Sequence, residues 1–181
     1  AGAAVAIPST TLEALPKSKT PFKSTLNLGF IGVGMRGQGH VGLALNRPDC
    51  KVAAICDISE EMINRTLSRI DKKGAKAPKI YNNGERAYLE MLQDESLDAI
   101  IIATPWRWHS EMAIASMKAG KYTGVEVCGA FSVDECWELV RTHEETGSHL
   151  FFLENVCYRR DVMAVLNMVR QDLFGEMVHL E

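Results

Sequence analysis

Leu28-Gly29-Phe30-Ile31-Gly32-Val33-Gly34-Met35-Arg36-Gly37 is a short apolar run that breaks into three glycines spaced Gly-x-Gly-x-x-Gly. Such a run reads as a buried strand over 28–33, and the pattern that resumes over 37–46 reads as a helix. Placed between strand and helix, the glycines take separate tasks. Gly32 permits a tight turn, Gly34 removes a Cβ from the path of an approaching pyrophosphate, and Gly37 lets helix and strand pack closely. The helix start adds unpaired N–H groups and a partial positive charge. The stretch therefore predicts a phosphate-cradling βα turn that opens a Rossmann-type α/β fold.

Working outward, further apolar runs at 52–56, 99–103, 122–127 and 150–153 read as strands buried on both faces. Helical patterns at 59–73, 84–93, 109–119 and 133–146 separate them, several opened by a Ser or Asp able to cap an exposed N–H. Strict alternation implies βαβ units, right-handed crossovers and a doubly wound parallel sheet. A last helix over 162–173 ends at Gly175, and 176–181 read as the first strand of a second, α+β substrate domain. The expected division is an arm at 1–25, a nucleotide-binding domain at 26–154 and the start of the substrate domain at 155–181.

Composition narrows the function classes. The 181 residues are 46% hydrophobic and 24% charged, with a net charge of −3 drawn from mixed signs, so no basic stripe is present to follow a phosphate backbone. Nucleic acid is not an expected partner. Cys50, Cys56, Cys128, Cys136 and Cys157 form no Cys-x-x-Cys pair and no metal-ligand spacing; most are expected to be buried thiols. No run approaches the roughly 20 apolar residues of a membrane span. Residues 1–8, Ala-Gly-Ala-Ala-Val-Ala-Ile-Pro, read either as the tail of an export signal or as the floppy end of a trimmed chain, which leaves periplasm and cytoplasm both open. The Ser-, Thr-, Lys- and Pro-rich 9–25 read as a surface arm.

Asp57, at the end of the second strand and 20 residues after Gly37, stands where a carboxylate accepts hydrogen bonds from an adenosine ribose and repels a 2′-phosphate. NAD rather than NADP is the expected cofactor. The other role open to Asp57 is to cap the helix that begins near Ser59. After the strand at 99–103 comes Thr104-Pro105-Trp106-Arg107-Trp108-His109, a loop at the carboxyl end of the sheet, where ligands of open α/β folds bind. Its indoles can flank a planar ring, and Arg107 and His109 can donate hydrogen bonds; His109 can equally cap the following helix.

The order of the glycine turn, Asp57, Ala103-Thr104-Pro105, His109, Ala119-Gly120-Lys121 and Glu126 resembles the Gfo/Idh/MocA oxidoreductase superfamily. Most of its members continue Glu-Lys-Pro, the lysine assisting proton removal from the hydroxyl being oxidised, whereas this chain has Glu126-Val127-Cys128. Together with Met35-Arg36, Trp106-Arg107-Trp108-His109, Glu135-Cys136-Trp137 and Glu154-Asn155-Val156-Cys157-Tyr158, that departure resembles the NAD-dependent α-N-acetylgalactosaminidases of glycoside hydrolase family 109. The likeness runs from about Leu26 to Glu181. Cys128 is a small departure, since proline is common there in the family.

The resemblance implies that Met35, Arg36, Asp57, Trp106, Arg107, Trp108, His109, Glu126, Val127 and Asn155 contact the cofactor, beside the glycines and Thr104. Read locally, Met35 and Val127 also fit core positions, Glu126 a paired carboxylate at a strand end, and Asn155 a turn. Tyr158, Arg159 and Arg160 fall where a nicotinamide-side cleft is expected, or, for the two arginines, on a solvated face opening the last helix. The family's route implies a carbohydrate substrate with terminal α-linked N-acetylgalactosamine. It oxidises sugar C3 transiently, eliminates across C1 and C2, adds water and re-reduces C3, with the acid and base groups expected beyond Glu181. A sugar or cyclitol dehydrogenase and a non-catalytic nucleotide-binding module remain the alternative readings, and the oligomeric state stays open, a homo-oligomer included.

Overall fold

The structure, a computed structural model, describes residues 24–176. The arm expected at 1–25 and the strand expected at 176–181 fall almost wholly outside the described residues. Among the described residues six parallel strands form one sheet: β1 Leu26–Ile31, β2 Cys50–Cys56, β3 Lys79–Tyr81, β4 Ala99–Ile102, β5 Tyr122–Val125 and β6 Leu150–Phe152, in the order β3-β2-β1-β4-β5-β6. The chain winds outward from β1 to β3 and returns to start the other half at β4. A crevice therefore opens between β1 and β4 at the carboxyl ends of the strands.

Helices α1 Met35–Leu45, α2 Glu60–Lys72, α3 Ala87–Leu92, α4 His109–Lys118 and α5 Val133–Thr146 make the crossovers, and α6 Arg160–Arg170 follows β6. They bury two cores. Phe30, Val52 and Ile55 join Val41 of α1 with Ile63 and Ile70 of α2. Ile31, Ala54, Ile100 and Ile102 join Tyr88 and Met91 of α3 with Met112 and Met117 of α4. Val52 and Ala54 lie two residues apart yet serve opposite faces. The β1–β2 register steps from Leu28↔Val52 to Gly29↔Ala54, so one extra residue on β2 reverses the alternation.

Several expected boundaries and burials need correction. Strand β3 was not expected, because Lys79-Ile80-Tyr81 is too short to show a period and only Tyr81 is buried. Strand β6 is not buried on both faces: among the described residues it pairs only with β5, and Phe151 and Phe152 are 61% and 43% exposed. α1 begins two residues earlier than its apolar pattern, since Gly34 rather than Arg36 is its N-cap. Of the five thiols only Cys56 is buried; Cys136 and Cys157 are exposed, the former because α5 buries only Leu139 and Thr142.

Burial, with Asp57 beside it, pushes the Cys56 thiol up to about 12. Since the thiolate is the reacting form, native protein treated with iodoacetamide should be modified at Cys136 and Cys157, with Cys56 labelled only after unfolding. Peptide mass mapping before and after denaturant checks this, and alkylation of native Cys56 would contradict the burial. Among the described residues no helix is long and apolar enough to cross a membrane, and no cluster of His, Cys, Asp or Glu could hold a metal ion.

Candidate functional site

A cleft of about 190 Å³ lies over the carboxyl ends of β1, β2 and β4, lined by Gly32, Gly34, Asp57, Thr104, Arg107 and Trp108 among others. Six of the residues singled out from sequence thus meet in one place. The glycine turn forms its floor. Gly32 sits at φ +82, and a Cβ there would come within 2.7 Å of the Ala103 carbonyl oxygen. A Cβ on Gly37 would run into the carbonyl oxygen of Gly32, whereas one on Gly34 would meet nothing within 4 Å. The first and third glycines hold the turn, and the second faces open space.

The N-terminus of α1 above that space carries no side-chain cap. Ser59 caps α2 by accepting from the Met62 N–H, and Ser132 with Glu135 forms a capping box on α5, whereas α3, α4 and α6 share with α1 the lack of a side-chain cap among the described residues. An uncapped helix start leaves N–H donors and partial positive charge for an anion.

Asp57 serves the protein as well as the cleft. Its Oδ2 accepts from the Val33 N–H at 2.7 Å and its Oδ1 from the Ser59 N–H at 2.9 Å. It thereby ties the glycine turn to the start of α2, and each oxygen retains a second lone pair for a ribose hydroxyl. Ile58, Gly84, Glu85 and Met112 complete the lining without having been expected. Ile58 carried a faint signal, an apolar residue beside Asp57 that falls outside the strand and is exposed.

The loop after β4 makes a single turn of 3-10 helix over Trp106–Trp108. Trp106 is exposed, with Phe131 6.4 Å away in a tilted contact. Two guanidinium groups approach the Trp108 ring, Arg107 at 5.4 Å and Arg86 at 5.8 Å from its centroid. Arg86 is held by an ion pair with Glu111, which also accepts from the Tyr88 hydroxyl at 2.5 Å. Burial and that bond push the Tyr88 hydroxyl up to about 12, so it remains a donor.

His109 is fully buried, and its ring nitrogens lie 2.7 Å from the Cys128 carbonyl oxygen and 2.8 Å from that of Thr104. In place of the hydrogen bonds to a ligand expected from sequence, the ring joins the loop after β4 to the loop after β5. A local pattern could not reveal this, since Cys128 is 19 residues away.

Glu126 lies outside that cleft's lining; it follows β5, on the opposite side of the β1–β4 crevice from Asp57. Its Oε1 accepts from Arg36 Nε at 2.5 Å and from His40 Nε2 at 2.6 Å. Burial raises the carboxyl pKa, but the bonds from His40 and then Arg36 outweigh it and hold the group below the ordinary range. His40 was not among the expected site residues; its signal was its place one helical turn after Arg36. Met35 and Val127 are not core residues, being 90% and 40% exposed. Asn155 and Tyr158 are exposed, Arg159 pairs with Asp161 at 2.8 Å, and Arg160 opens α6, so none of these lines the cleft.

A parallel sheet in this order, with an uncapped helix start over a glycine turn and carboxylates on both flanks, defines a dinucleotide-binding α/β domain. The residues fit the diphosphate in particular, because Gly34 is the N-cap of α1 and a Cβ there would meet nothing within 4 Å. Residues 26–153 match the oxidoreductase family with an NAD-binding Rossmann fold, and residues 158–181 match the C-terminal domain of glycosyl hydrolase 109. The chain belongs to that oxidoreductase family, and its dinucleotide is NAD.

It is 52% identical, over 94% of its length, to a glycosyl hydrolase family 109 protein of Parabacteroides distasonis. It is likewise 52% identical, over 92% of its length, to an α-N-acetylgalactosaminidase of Tannerella forsythia. The chain spans only 38% and 36% of those two relatives. Among solved structures, the WlbA dehydrogenase of Bordetella pertussis, in complex with NADH and UDP-GlcNAcA, superposes on 83% of this chain and 43% of its own with a TM-score of 0.71 and 22% identity, a likeness of fold.

Proposed function

We propose that this chain is the cofactor-binding part of an NAD-dependent glycosidase that removes terminal α-linked N-acetylgalactosamine. In this reading residues 26–154 form the NAD domain and residues from 155 begin the substrate domain. What supports the glycosidase over a simple dehydrogenase is position 127. It follows Glu126 at the carboxyl end of β5, where the superfamily's proton-abstracting lysine is expected, and carries an exposed valine.

When bound, NAD⁺ supplies reversible hydride acceptance, which lets sugar C3 be a ketone during the turnover and an alcohol again at its end. With C3 a ketone, the C2–H bond is acidified. Loss of that proton expels the C1 oxygen substituent as the leaving alcohol, and water adding across C1 and C2 restores the proton count. The sum is hydrolysis without net redox change, and it needs no pair of carboxylates astride the glycosidic bond.

The chain's own residues bind and orient. The α1 start and Gly34 receive the diphosphate, Asp57 the adenosine ribose, and Arg36 with Glu126 the opposite flank. Trp106, Arg107, Trp108 and Val127 are assigned to the cofactor surface by the resemblance, and so is Asn155 although it lies outside the cleft's lining, while the sugar's acid and base groups are assigned to the substrate domain.

Calorimetry on this chain should show NAD⁺ binding well ahead of NADP⁺. A full-length polypeptide bearing these residues should release p-nitrophenol from the α-N-acetylgalactosaminide without accumulating NADH, and in deuterium oxide should place deuterium at sugar C2. NADH accumulation with a free sugar and no cleavage would replace this reading by a dehydrogenase. Binding without turnover would replace it by a nucleotide-sensing module.

A further inference from the structure

His40, half-buried on α1, touches the site through Glu126 alone and has so far been given no role in it. It sits four residues after Arg36 on α1, so both side chains leave the same face of the helix, and both reach one atom, Oε1 of Glu126. The Glu126 backbone is already pinned to the sheet, its N–H donating to the Ile102 carbonyl at 3.0 Å. Only its side-chain torsions remain to be set.

The two donors differ in how well they can set them. Arg36 has a side chain 48% exposed, on a long stem that loses much rotamer freedom when held and meets solvent screening. The His40 side chain is 15% exposed and short, and the Glu126 side chain is 9% exposed. A stiff, enclosed donor restricts a buried carboxylate more than a half-solvated one. Oε2 has no protein partner among the described residues.

We propose that His40 is a positioning residue for the nicotinamide side of the NAD site: by occupying Oε1 it fixes the Glu126 carboxylate so that Oε2 is presented to the ribose next to nicotinamide. Strand order supports the side assigned. Asp57 follows β2 and Glu126 follows β5, on opposite sides of the β1–β4 crevice, so a dinucleotide with its adenosine at Asp57 extends its other half toward Glu126. The depressed Glu126 carboxyl agrees with a group kept ionised by donors already in place. This inference rests on the NAD reading of the site and adds to it the residue that orders one half.

The test compares NAD⁺ with AMP, which lacks the nicotinamide half. By calorimetry, His40→Ala should bind NAD⁺ about 10-fold more weakly while AMP affinity stays within about 2-fold of the parent. His40→Gln places an amide N–H the same number of bonds from Cα and should restore NAD⁺ affinity to within about 3-fold. Circular dichroism verifies folding, and if His40→Ala does not fold, His40→Asn, whose shorter amide cannot reach Glu126, takes its place with the same expectation. Equal losses for NAD⁺ and AMP, unchanged NAD⁺ binding, or failure of the glutamine to rescue would each overturn the role given to His40. A parent chain that binds AMP but not NAD⁺ would overturn the reading of the site itself, and the proposal with it.

Discussion

Replacing Gly34 with alanine should leave the melting temperature unchanged or slightly raised and should weaken NAD⁺ binding about 100-fold, or roughly 2.7 kcal/mol. The stability half follows from geometry. A Cβ at Gly34 meets no atom within 4 Å, and its φ of −66 is open to any residue. Alanine there also removes unfolded-state freedom, worth about 0.4–1 kcal/mol where the backbone conformation is compatible. The affinity half follows because the same methyl group projects over the uncapped start of α1, the place assigned to the diphosphate.

Gly37→Ala supplies the contrast. Its Cβ would run into the Gly32 carbonyl oxygen, a backbone atom that cannot swing aside, so the cost is about 3 kcal/mol of stability, with affinity lost through the displaced turn. Thermal denaturation and calorimetry on the two variants separate the roles. A Gly34→Ala protein that binds NAD⁺ as tightly as the parent would remove the diphosphate from this turn.

The second large effect is expected at Asp57. Asp57→Asn keeps the shape but turns one of two acceptor oxygens into an NH2 group facing a backbone N–H, either that of Val33 or that of Ser59. Leaving one such amide unpaired costs about 1–3 kcal/mol, which in a chain of this size lowers the melting temperature by roughly 3–10 °C. NAD⁺ affinity should fall about 30-fold, because the ribose loses a charged acceptor and the glycine turn loses its tie to α2.

NADP⁺ should gain little from Asp57→Asn. Removing the repulsive carboxylate also loosens the turn that must receive the diphosphate. A variant that kept its melting temperature and switched cleanly to NADP⁺ would show that the two amide bonds are dispensable. Altering cofactor choice here calls for a second change that repairs the Val33 and Ser59 partners.

Much of this architecture was legible before any coordinates. The glycine turn and the run of β1, β2, β4 and β5 rest on contacts within one element or its neighbour, where period and spacing report directly. Strand β3 was illegible because three residues carry no period. The edge character of β6 was hidden because Leu150-Phe151-Phe152 is as apolar as any central strand, and only its position beyond β5 leaves it uncovered.

The amino-acid sequence alone determined the alternation of strand and helix, the parallel sheet and the place of the phosphate-binding turn, all of which follow from local apolar period and backbone sterics. Tertiary structure decided which polar side chains face the crevice and which hold its walls. His109 was turned inward to two carbonyl groups, and Glu126 was joined to Arg36 across 90 positions of chain and to His40 across 86. A hydrogen-bond partner is chosen by distance in space, and the distance between α1 and the end of β5 exists only once the sheet has formed.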